Sequence, residues 1–256
     1  MKKLLSTIAC ATVLATTASA DFARVEMGAG AWMNTPSGTL TYSDGGANGV
    51  YTSDEKEETS GYAWMLVKHP IPVLPNIRLE YTSIEDSGIA TGDFNGFVAP
   101  DSGANASLSM KQYDIIPYYN ILDNTAWITL DLGLDIKVVD TTYKADGVTV
   151  LNVSIPSSSY EDSTVAVVPL VYVRTRVEIP ATNIGFEADV KYITYNGSTV
   201  SDIRVKADYT LDFIPVVQPG LEVGYRMQKF DLVSDDEKTK TNLDFSGVYV
   251  GLMVRF

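Results

Sequence analysis

The chain ends with the stretch LDFSGVYVGLMVRF, residues 243–256. Read with a period of two, it places Val248, Val250, Leu252, Val254 and Phe256 on one face of a strand, and Tyr249, Gly251, Met253 and Arg255 on the other. A strand that has one apolar face and stops on an aromatic residue needs a pairing partner and a cover for that face. A closed transmembrane β-barrel provides both, because its last strand pairs with its first and lipid covers the outside.

The same tail also resembles a short targeting motif. In the C-terminal assembly signal of bacterial outer-membrane β-barrel proteins, a polar or aromatic residue and a glycine precede two alternating hydrophobic residues that end in Phe. The matching residues here are Tyr249, Gly251, Val254 and Phe256. The resemblance implies that the barrel-assembly machinery recognises this tail during biogenesis.

The N-terminus has the three parts of an export signal. Lys2 and Lys3 form a positive region, residues 4–17 form an apolar region, and residues 18–20 read Ala-Ser-Ala, a small-residue cleavage site. Residues 1–20 are therefore predicted to be a cleaved signal peptide, and residues 21–256 a single outer-membrane β-barrel domain.

Charge and cysteine content exclude several classes of protein. A lipoprotein signal with Cys10 lipidated is the weaker alternative, because residues 7–9 match the usual Leu-led box poorly and the apolar run before Cys10 is short. Once Cys10 leaves with the signal, the mature chain has no disulfide. The net charge of −13, which becomes −15 without Lys2 and Lys3, excludes a basic nucleic-acid surface as a main theme. No later segment is apolar enough to span a membrane as a helix.

Alternating segments recur along the whole chain. The clearest is residues 126–139, where Ile128, Leu130, Leu132, Leu134, Ile136 and Val138 alternate with Trp127, Thr129, Asp131, Gly133, Asp135 and Lys137. A strand collects those acidic residues on one face, whereas a helix would scatter them. The segments with this pattern are 22–33, 62–69, 77–84, 107–121, 126–139, 163–178, 184–195, 201–213, 221–232 and 243–256, which predicts about ten strands.

The connections alternate between two kinds. Residues 35–60, 85–106 and 140–162 are rich in Gly, Ser, Asp and Glu and are predicted to be long loops, whereas residues 70–76, 123–124, 179–183 and 215–219 are short turns. Asn196-Gly197 is a hairpin signal. An even number of strands returns both chain ends to the periplasmic side. A soluble β-sandwich also alternates, and the aromatic end and the export signal favour the barrel over it.

Tyrosines near strand ends are predicted to form the aromatic girdles at the two membrane interfaces. The candidates are Tyr62, Tyr119, Tyr192 and Tyr225.

The faces opposite the apolar ones carry a mixed set of charges. The predicted lumen-facing charged residues are Arg24, Glu26, Arg78, Glu80, Asp114, Asp131, Asp135, Lys137, Arg174, Arg176, Glu178, Glu187, Asp189, Lys191, Asp202, Arg204, Lys206, Asp208, Asp212, Glu222, Arg226 and Arg255. Acids and bases are nearly balanced. Barrels of eight strands are filled by their own side chains, whereas porins need sixteen or so for a wide channel. The sequence therefore predicts a narrow lumen closed by a network of ion pairs.

Two functional hypotheses follow. The first is a structural or surface-interaction barrel whose three long loops meet the outside, where outer-membrane lipid and lipopolysaccharide are the expected contacts. The alternative is a narrow pore for ions or small solutes, which the charged interior suggests.

No enzyme, cofactor or metal site is predicted. The single histidine, His69, precedes Pro70 at a predicted periplasmic turn. Small outer-membrane barrels that are enzymes resemble proteases or lipid hydrolases that use a histidine at the outer rim, the opposite end. Asp131 and Asp135 could act as an acid and a base, but in a dense ion-pair interior such residues are more often structural. The acidic run at residues 54–58 lacks the spacing of a calcium loop.

The mature chain resembles a family of uncharacterised outer-membrane β-barrel proteins from Gram-negative bacteria. The resemblance is carried above all by YDIIPYYNILDN at residues 113–124 and TLDLGLDIKVVD at residues 129–140. It implies the fold and the outer-membrane location, and it implies no activity or site residues.

Overall fold

A computed structural model describes residues 23–71, 73–94, 96–150, 159–211, 216–234 and 237–256. The predicted signal peptide at residues 1–20 and the predicted lumen residue Asp212 lie outside this set. The described residues contain no helix long and apolar enough to cross a bilayer.

The described residues form antiparallel strands. These strands are β1 Arg24–Asp44, β2 Ala47–Ser53, β3 Glu58–Lys68, β4 Asn76–Asp93, β5 Phe97–Thr125, β6 Ile128–Asp146, β7 Thr149–Val150, β8 Ser159–Glu178, β9 Ile184–Tyr195, β10 Ser198–Thr210, β11 Gln218–Val233 and β12 Thr239–Arg255.

The sheet closes into a ring. Neighbours follow the order β1, β3, β4, β5, β6, β8, β9, β10, β11, β12, and β12 returns to β1 with a continuous register from Glu26↔Arg255 to Tyr42↔Thr239. Strand β2 lies in line with β3, because both pair with β1 and β4. The ring thus has ten strand positions, which confirms the predicted antiparallel barrel of about ten strands. Closure leaves no free edge within the ring itself.

Burial alternates along the strands with a period of two. On β12, Tyr249 and Met253 are buried in the interior, whereas Leu252 is 68% exposed on the outside. The outward apolar run on β6 extends from Ile128 to Val138, about the nine to eleven residues that a tilted strand needs to cross a bilayer. Comparable runs on the other strands of the ring form a continuous apolar belt around the barrel.

Two of the predicted long loops are wrong, because they are mostly strand. Residues 35–60 continue β1 to Asp44 and then form β2, and residues 85–106 continue β4 to Asp93 and begin β5 at Phe97. The third, residues 140–162, continues β6 and begins β8, with residues 151–158 outside the described set. Backbone ladders need no apolar side chains, so polar and glycine-rich stretches pair whenever a neighbouring strand of similar length lies beside them.

These strand parts rise beyond the belt. We name residues 37–53, 85–94, 96–109, 141–150 and 159–168 the extension. The other end, which we name the terminal end, holds the described ends of the chain at Ala23 and Phe256 and the turns at residues 69–71, 73–75, 126–127 and 179–183.

The predicted turns at residues 179–183 and 196–197 are confirmed, whereas the predicted turn at residues 215–219 falls partly outside the described residues and its last two residues, Gln218 and Pro219, belong to β11. Asn196 and Gly197 have φ values of 48° and 80°, as expected for the turn type that Asn-Gly favours. The turn predicted at residues 123–124 is wrong. Register irregularities between Asn120 and Thr125 take up extra residues, so β5 continues and the chain reverses at residues 126–127.

Three of the four predicted girdle tyrosines face outward. Tyr119, Tyr192 and Tyr225 are exposed on the outer surface. Tyr62 is a correction, because its hydroxyl donates to Glu222 inside the barrel at 2.8 Å. It shares the parity of Trp64, which is buried, so strand geometry directs it inward.

Candidate functional site in the barrel lumen

The lumen within the belt is lined by buried charged side chains. Those with almost no exposed surface are Glu26, Arg78, Glu80, Asp114, Asp131, Asp135, Lys137, Arg174, Arg176, Glu187, Asp189, Lys191, Asp202, Arg204, Lys206, Asp208, Glu222 and Arg226. All of them occupy positions that strand parity assigns to the inside.

Strand register creates the first set of ion pairs. Asp131 lies directly opposite Arg174, and Asp189 directly opposite Arg204. Arg174 Nη1 is 2.5 Å from Asp131 Oδ2, and Arg204 Nε is 3.1 Å from both carboxylate oxygens of Asp189. Opposite charges at directly paired positions stabilise a sheet. These pairs lie along the wall and leave the axis of the barrel open to other contacts.

A second set of ion pairs crosses the lumen. Lys191 Nζ on β9 is 2.6 Å from Glu80 Oε2 on β4, and Arg78 Nη1 on β4 is 3.2 Å from Glu187 Oε1 on β9. Arg204 on β10, which lies diametrically opposite β4 in the ring, also pairs with Glu80. Side chains from opposite walls therefore meet inside the barrel.

Towards the extension, Asp202 anchors the next layer. Arg226 binds it through two bonds, Nε to Oδ1 at 2.9 Å and Nη2 to Oδ2 at 2.6 Å. Gln112 on β5 and Gln228 on β11 hydrogen-bond to each other across the lumen at 2.9 and 2.7 Å. The sequence analysis missed this polar contact, although the alternation of β5 and β11 places both glutamines on the inner face.

At the terminal end a third group of pairs closes the mouth. Arg176 binds Asp208 through two bonds of 2.5 and 2.9 Å. Arg255 Nε lies 3.1 Å from Glu26 Oε1, and Arg24 contacts both Glu26 and Glu178. The first and last strands are therefore joined by side-chain ion pairs as well as by the ladder.

Aromatic rings complete the packing around the charges. Trp64 Nε1 donates to Glu222 Oε1 at 2.9 Å, and Lys206 Nζ lies 4.4 Å from the Trp64 ring centre. Gly28 makes room for this ring, since a Cβ at that position would lie 2.6 Å from Trp64 Nε1. Cation–π contacts in a desolvated site contribute on the order of 2 kcal/mol each.

Above the charged layers the interior is apolar, which the sequence analysis missed. The large side chains of this apolar cap are Trp32, Ile84, Leu108, Met110, Val139, Leu170, Val200, Phe230, Leu243 and Phe245, all buried. The signal was present in the strand parity. On β11 the inward positions run Glu222, Gly224, Arg226 and Gln228 and then change to Phe230.

Two small voids lie in the lumen. A void of about 10 Å³ lies among Trp32, Trp64 and Tyr249, and one of about 20 Å³ lies at the terminal end beside Lys68 and Arg174. A volume of this size holds about one water molecule.

His69 and Asp131 are held in structural contacts, whereas both carboxylate oxygens of Asp135 are buried without a hydrogen-bond partner among the described residues. His69 Nδ1 accepts from Ile71 N at 3.2 Å, and its Nε2 lies 3.0 Å from Pro75 O, so the ring braces a turn at the terminal end. Asp131 is bound by Arg174 and Asn120, and Asp135 lies 3.8 Å from Lys191. Within the part of the chain that the structure describes, no group of three or more His, Cys, Asp or Glu is arranged to hold a metal ion.

The residues of the C-terminal motif divide between the two faces. Tyr249 is inward, and Gly251 leaves space for the Tyr62 hydroxyl, which an added Cβ would meet. Val254 and Phe256 lie on the outward face, and Phe256 N donates to Val25 O at 2.9 Å. Recognition of this tail by an assembly machinery stays a prediction.

A closed antiparallel ring with an apolar outside and a charged inside defines a class of protein. The chain has the fold of a bacterial outer-membrane β-barrel protein. The fold implied by the family resemblance is thereby confirmed.

Solved structures share this architecture. The chain is similar to the outer-membrane protease OmpT from Escherichia coli, with 8% identity, 91% of this chain and 96% of that chain covered, and a TM-score of 0.51. It also matches the transport unit of the autotransporter AIDA-I from Escherichia coli, with 10% identity, 96% and 95% coverage, and a TM-score of 0.40. No protein-family model and no curated protein matches the sequence. At 8% identity the first likeness shows the fold alone.

Proposed function

We propose that this protein is a closed outer-membrane barrel that carries no solute through its lumen and acts through contacts of its extension. The observation that carries the proposal is the filling of the lumen by two successive layers. The charged layer is bridged from wall to wall by contacts such as Lys191–Glu80, and the apolar cap lies directly above it. An ion on its way through would have to break buried pairs and then enter a dry apolar layer, and both steps are costly.

The extension is the part that would meet other molecules. Its strands pair in register well beyond the belt, for example from Ser83↔Lys111 to Ala90↔Ala104 between β4 and β5. We place it on the cell exterior, because both chain ends and the short turns belong on the periplasmic side in barrels of this type. Lipopolysaccharide and outer-membrane lipid would then surround its base.

The test is conductance of the refolded mature chain in planar bilayers. We expect no steady current from the unchanged protein. A variant that opens both layers, with Phe230→Ser and Phe245→Ser in the apolar cap and Glu80→Ala and Lys191→Ala in the charged layer, should leak, because both the rings and the wall-to-wall ion pair are replaced by small side chains. Its current would show that the assay detects an opened barrel. A stable conductance from the unchanged protein would contradict the proposal.

A narrow pore is the second candidate, favoured by the void at the terminal end. That void is lined by Arg24, Lys68, Arg174 and Arg176 together with two acids, Glu26 and Asp123. If ions pass here, replacing Arg174 and Arg176 with Gln should shift the selectivity of the current from anions towards cations. Unchanged selectivity would exclude these residues as a filter.

We also propose that the chain is not an enzyme, although it shares a fold with a protease. The support is the place of His69, which braces a turn at the end opposite the extension. The refolded protein, incubated with casein and with a fluorogenic peptide library, should give no hydrolysis above that of His69→Ala. Turnover that the substitution abolishes would overturn this statement.

A further inference from the structure

The upper part of β8 has one unpaired edge. β8 pairs with β6 from Ser159 to Val177, but it pairs with β9 only from Val171 to Glu178. The difference arises because β9 turns back into β10 at Asn196-Gly197, well below the top of the extension. Among the residues that the structure describes, no strand pairs with residues 161–168 on the β9 side.

The backbone groups that face this edge can be assigned from the bottom of the strand. Glu178 N donates to Trp127 O on the β6 side at 3.0 Å, and Ile179 N donates to Ile184 O on the β9 side at 3.0 Å. The ladders on both sides run without register shifts, and successive residues point their backbone groups to opposite sides. The odd-numbered residues Glu161, Ser163, Val165 and Val167 therefore direct their N–H and C=O groups to the free edge.

The side chains of this segment are exposed on both faces. Val165 and Val167 are 63% and 62% exposed on the outer face, and Thr164 and Ala166 are exposed on the inner face. Val167 lies opposite Val138, the last apolar outward residue of β6, and Val165 lies opposite Asp140, the first polar one, so the segment starts at the upper limit of the apolar belt and rises beyond it.

Edge strands in water are commonly protected by charged side chains, by Pro or by a covering element. The two charged residues of the segment, Glu161 and Asp162, stand at its upper end, residues 163–168 contain neither a charge nor Pro, and Pro169 comes only where pairing with β9 is about to begin. An edge of this length therefore has the properties of a pairing template.

We propose that residues 161–168 form a docking edge to which a basic, extended segment of another protein adds as a further strand. The proposal rests on the proposed function, since it names the partner of the extension. Strand addition uses backbone hydrogen bonds for affinity and alternate side chains for specificity. The four N–H and four C=O groups at the free edge match the hydrogen-bonding groups of an added segment of about eight residues.

A second copy of this chain does not fit the edge. Two barrels in one membrane are related by a two-fold axis along the membrane normal. Seen from one side, the two facing β8 strands then tilt from the normal in opposite directions. With a tilt of roughly 35–45° from the normal, the two strands would cross at roughly 70–90° instead of forming a ladder.

Charge favours a basic partner. Glu161 and Asp162 are exposed on the edge strand, with Lys144 bound to Glu161 at 3.2 Å, and Asp140 and Asp146 lie on the neighbouring β6. The chain as a whole carries −13. Lysines in the added strand would therefore meet complementary charge, which also speeds association.

The experiment measures binding of a fluorescent synthetic peptide, KVTVKVTVK, to the refolded mature chain in lipid nanodiscs by anisotropy. Two comparison peptides are EVTVEVTVE and a copy of the first with N-methyl groups on alternate residues. We expect saturable binding of the basic peptide, and binding at least about tenfold weaker for both comparison peptides, since each loses either the charge or the ladder.

Two substitutions test the edge itself. Val165→Pro removes an N–H that points to the free edge and leaves the even-numbered bonds to β6 in place, so it should weaken binding at least about tenfold. Val165→Thr keeps that N–H, so binding should change less than about threefold. Heat-modifiable migration on a gel verifies that each variant folds.

Three outcomes would overturn the docking edge. They are equal binding of the N-methylated peptide, unchanged binding by Val165→Pro, and no binding of the basic peptide by a protein that shows no conductance. The last result leaves the closed barrel standing. If the acidic peptide binds as well as the basic one, the assigned partner chemistry is wrong. A conducting protein would instead contradict the proposed function, whatever the peptides do.

Discussion

Lys191 Nζ lies 2.6 Å from Glu80 Oε2, although the two residues stand on β9 and β4, on opposite walls of the barrel. Lys191 also lies 3.5 Å from Asp114, 3.8 Å from Asp135 and 3.9 Å from Asp202, so one ammonium group contacts carboxylates from four other strands. Glu80 and Asp114 are directly paired across β4 and β5, an arrangement of like charges that would be unfavourable alone. The lysine bridges them, and the same contact joins opposite walls of the barrel.

Breaking this bridge should be costly. Glu80→Gln leaves Lys191, Arg78 and Arg204 buried with one carboxylate fewer, and we expect a loss of about 3–5 kcal/mol in the free energy of unfolding. The measurement is urea unfolding followed by tryptophan fluorescence. The matched control is Asp244→Asn, whose partner Lys229 lies 3.7 Å away in a pair that is nearly half exposed, with an expected loss of about 0–1 kcal/mol. Equal losses for the two variants would contradict the assigned role.

The apolar cap makes a prediction on one strand. Phe245→Ala should lower the free energy of unfolding by about 3–5 kcal/mol, because the ring is fully buried against Phe230 and its removal leaves a cavity. The control is Leu252→Ala on the same strand, whose side chain faces outward. Lipid can fill the space left there, so its loss should be clearly smaller. The two unfolding curves are compared in the same vesicles, and a larger loss for Leu252→Ala would show that the cap does not pack as described.

Asp86 predicts how the extension responds to pH. It lies beyond the belt, where it accepts hydrogen bonds from Tyr51 and Ser53 at 2.8 Å, and burial raises its pKa above the ordinary value. Because the folded state holds this proton more tightly than the unfolded state, the stabilising contribution is full below the unfolded pKa. It is lost as pH rises through the raised folded pKa.

The measurement is hydrogen exchange of the extension across pH, corrected for intrinsic exchange rates. Protection should fall as Asp86 ionises, and Asp86→Asn should remove that dependence. Asp101→Asn, an exposed carboxylate in the same extension, serves as the control and should keep it. A pH profile that is the same in all three proteins would rule out Asp86 as the source.

The C-terminal motif makes a prediction about biogenesis rather than stability. Phe256→Ala should reduce the amount of folded, heat-modifiable barrel in cells, while refolding of the purified chain in lipid stays near normal. The reason is that the Phe256 ring is about half exposed, whereas its backbone bonds to Val25 are retained. Val248→Ala, outward on the same strand but outside the motif, is the control. Similar amounts of folded protein in cells for both variants would argue against recognition of Phe256.

The strand pattern was predictable because it is a local property. Side chains of an extended chain alternate between two faces whatever the strand pairs with, so the inward position of Asp131, Arg174 and Arg226 follows from their spacing. The Asn196-Gly197 hairpin is equally local, since its dihedral angles are those that these two residues favour.

The ends of the strands and the direction of individual side chains such as Tyr62 were harder to predict from the sequence. The frequency of tyrosine in girdles predicts an outward Tyr62, but this residue is two positions from the buried Trp64, so its side chain points inward to Glu222. The polar composition of residues 35–60 predicts a loop and gives no sign of the ladder that β1 and β2 form. In both cases the residue composition predicts one placement, and the strand geometry imposes another.

By itself the sequence determined an all-β chain of about ten strands, which side chains point inward, and the apolar face that meets lipid. The tertiary structure decided which of those inward groups touch. Lys191 meets Glu80 and Gln112 meets Gln228 only because ring closure brings opposite walls within side-chain reach. The free edge of β8 likewise exists only because its neighbour β9 is shorter. The direction in which a side chain points is set by the geometry of its own strand. The contacts that it makes depend on the number, register and length of all the strands together.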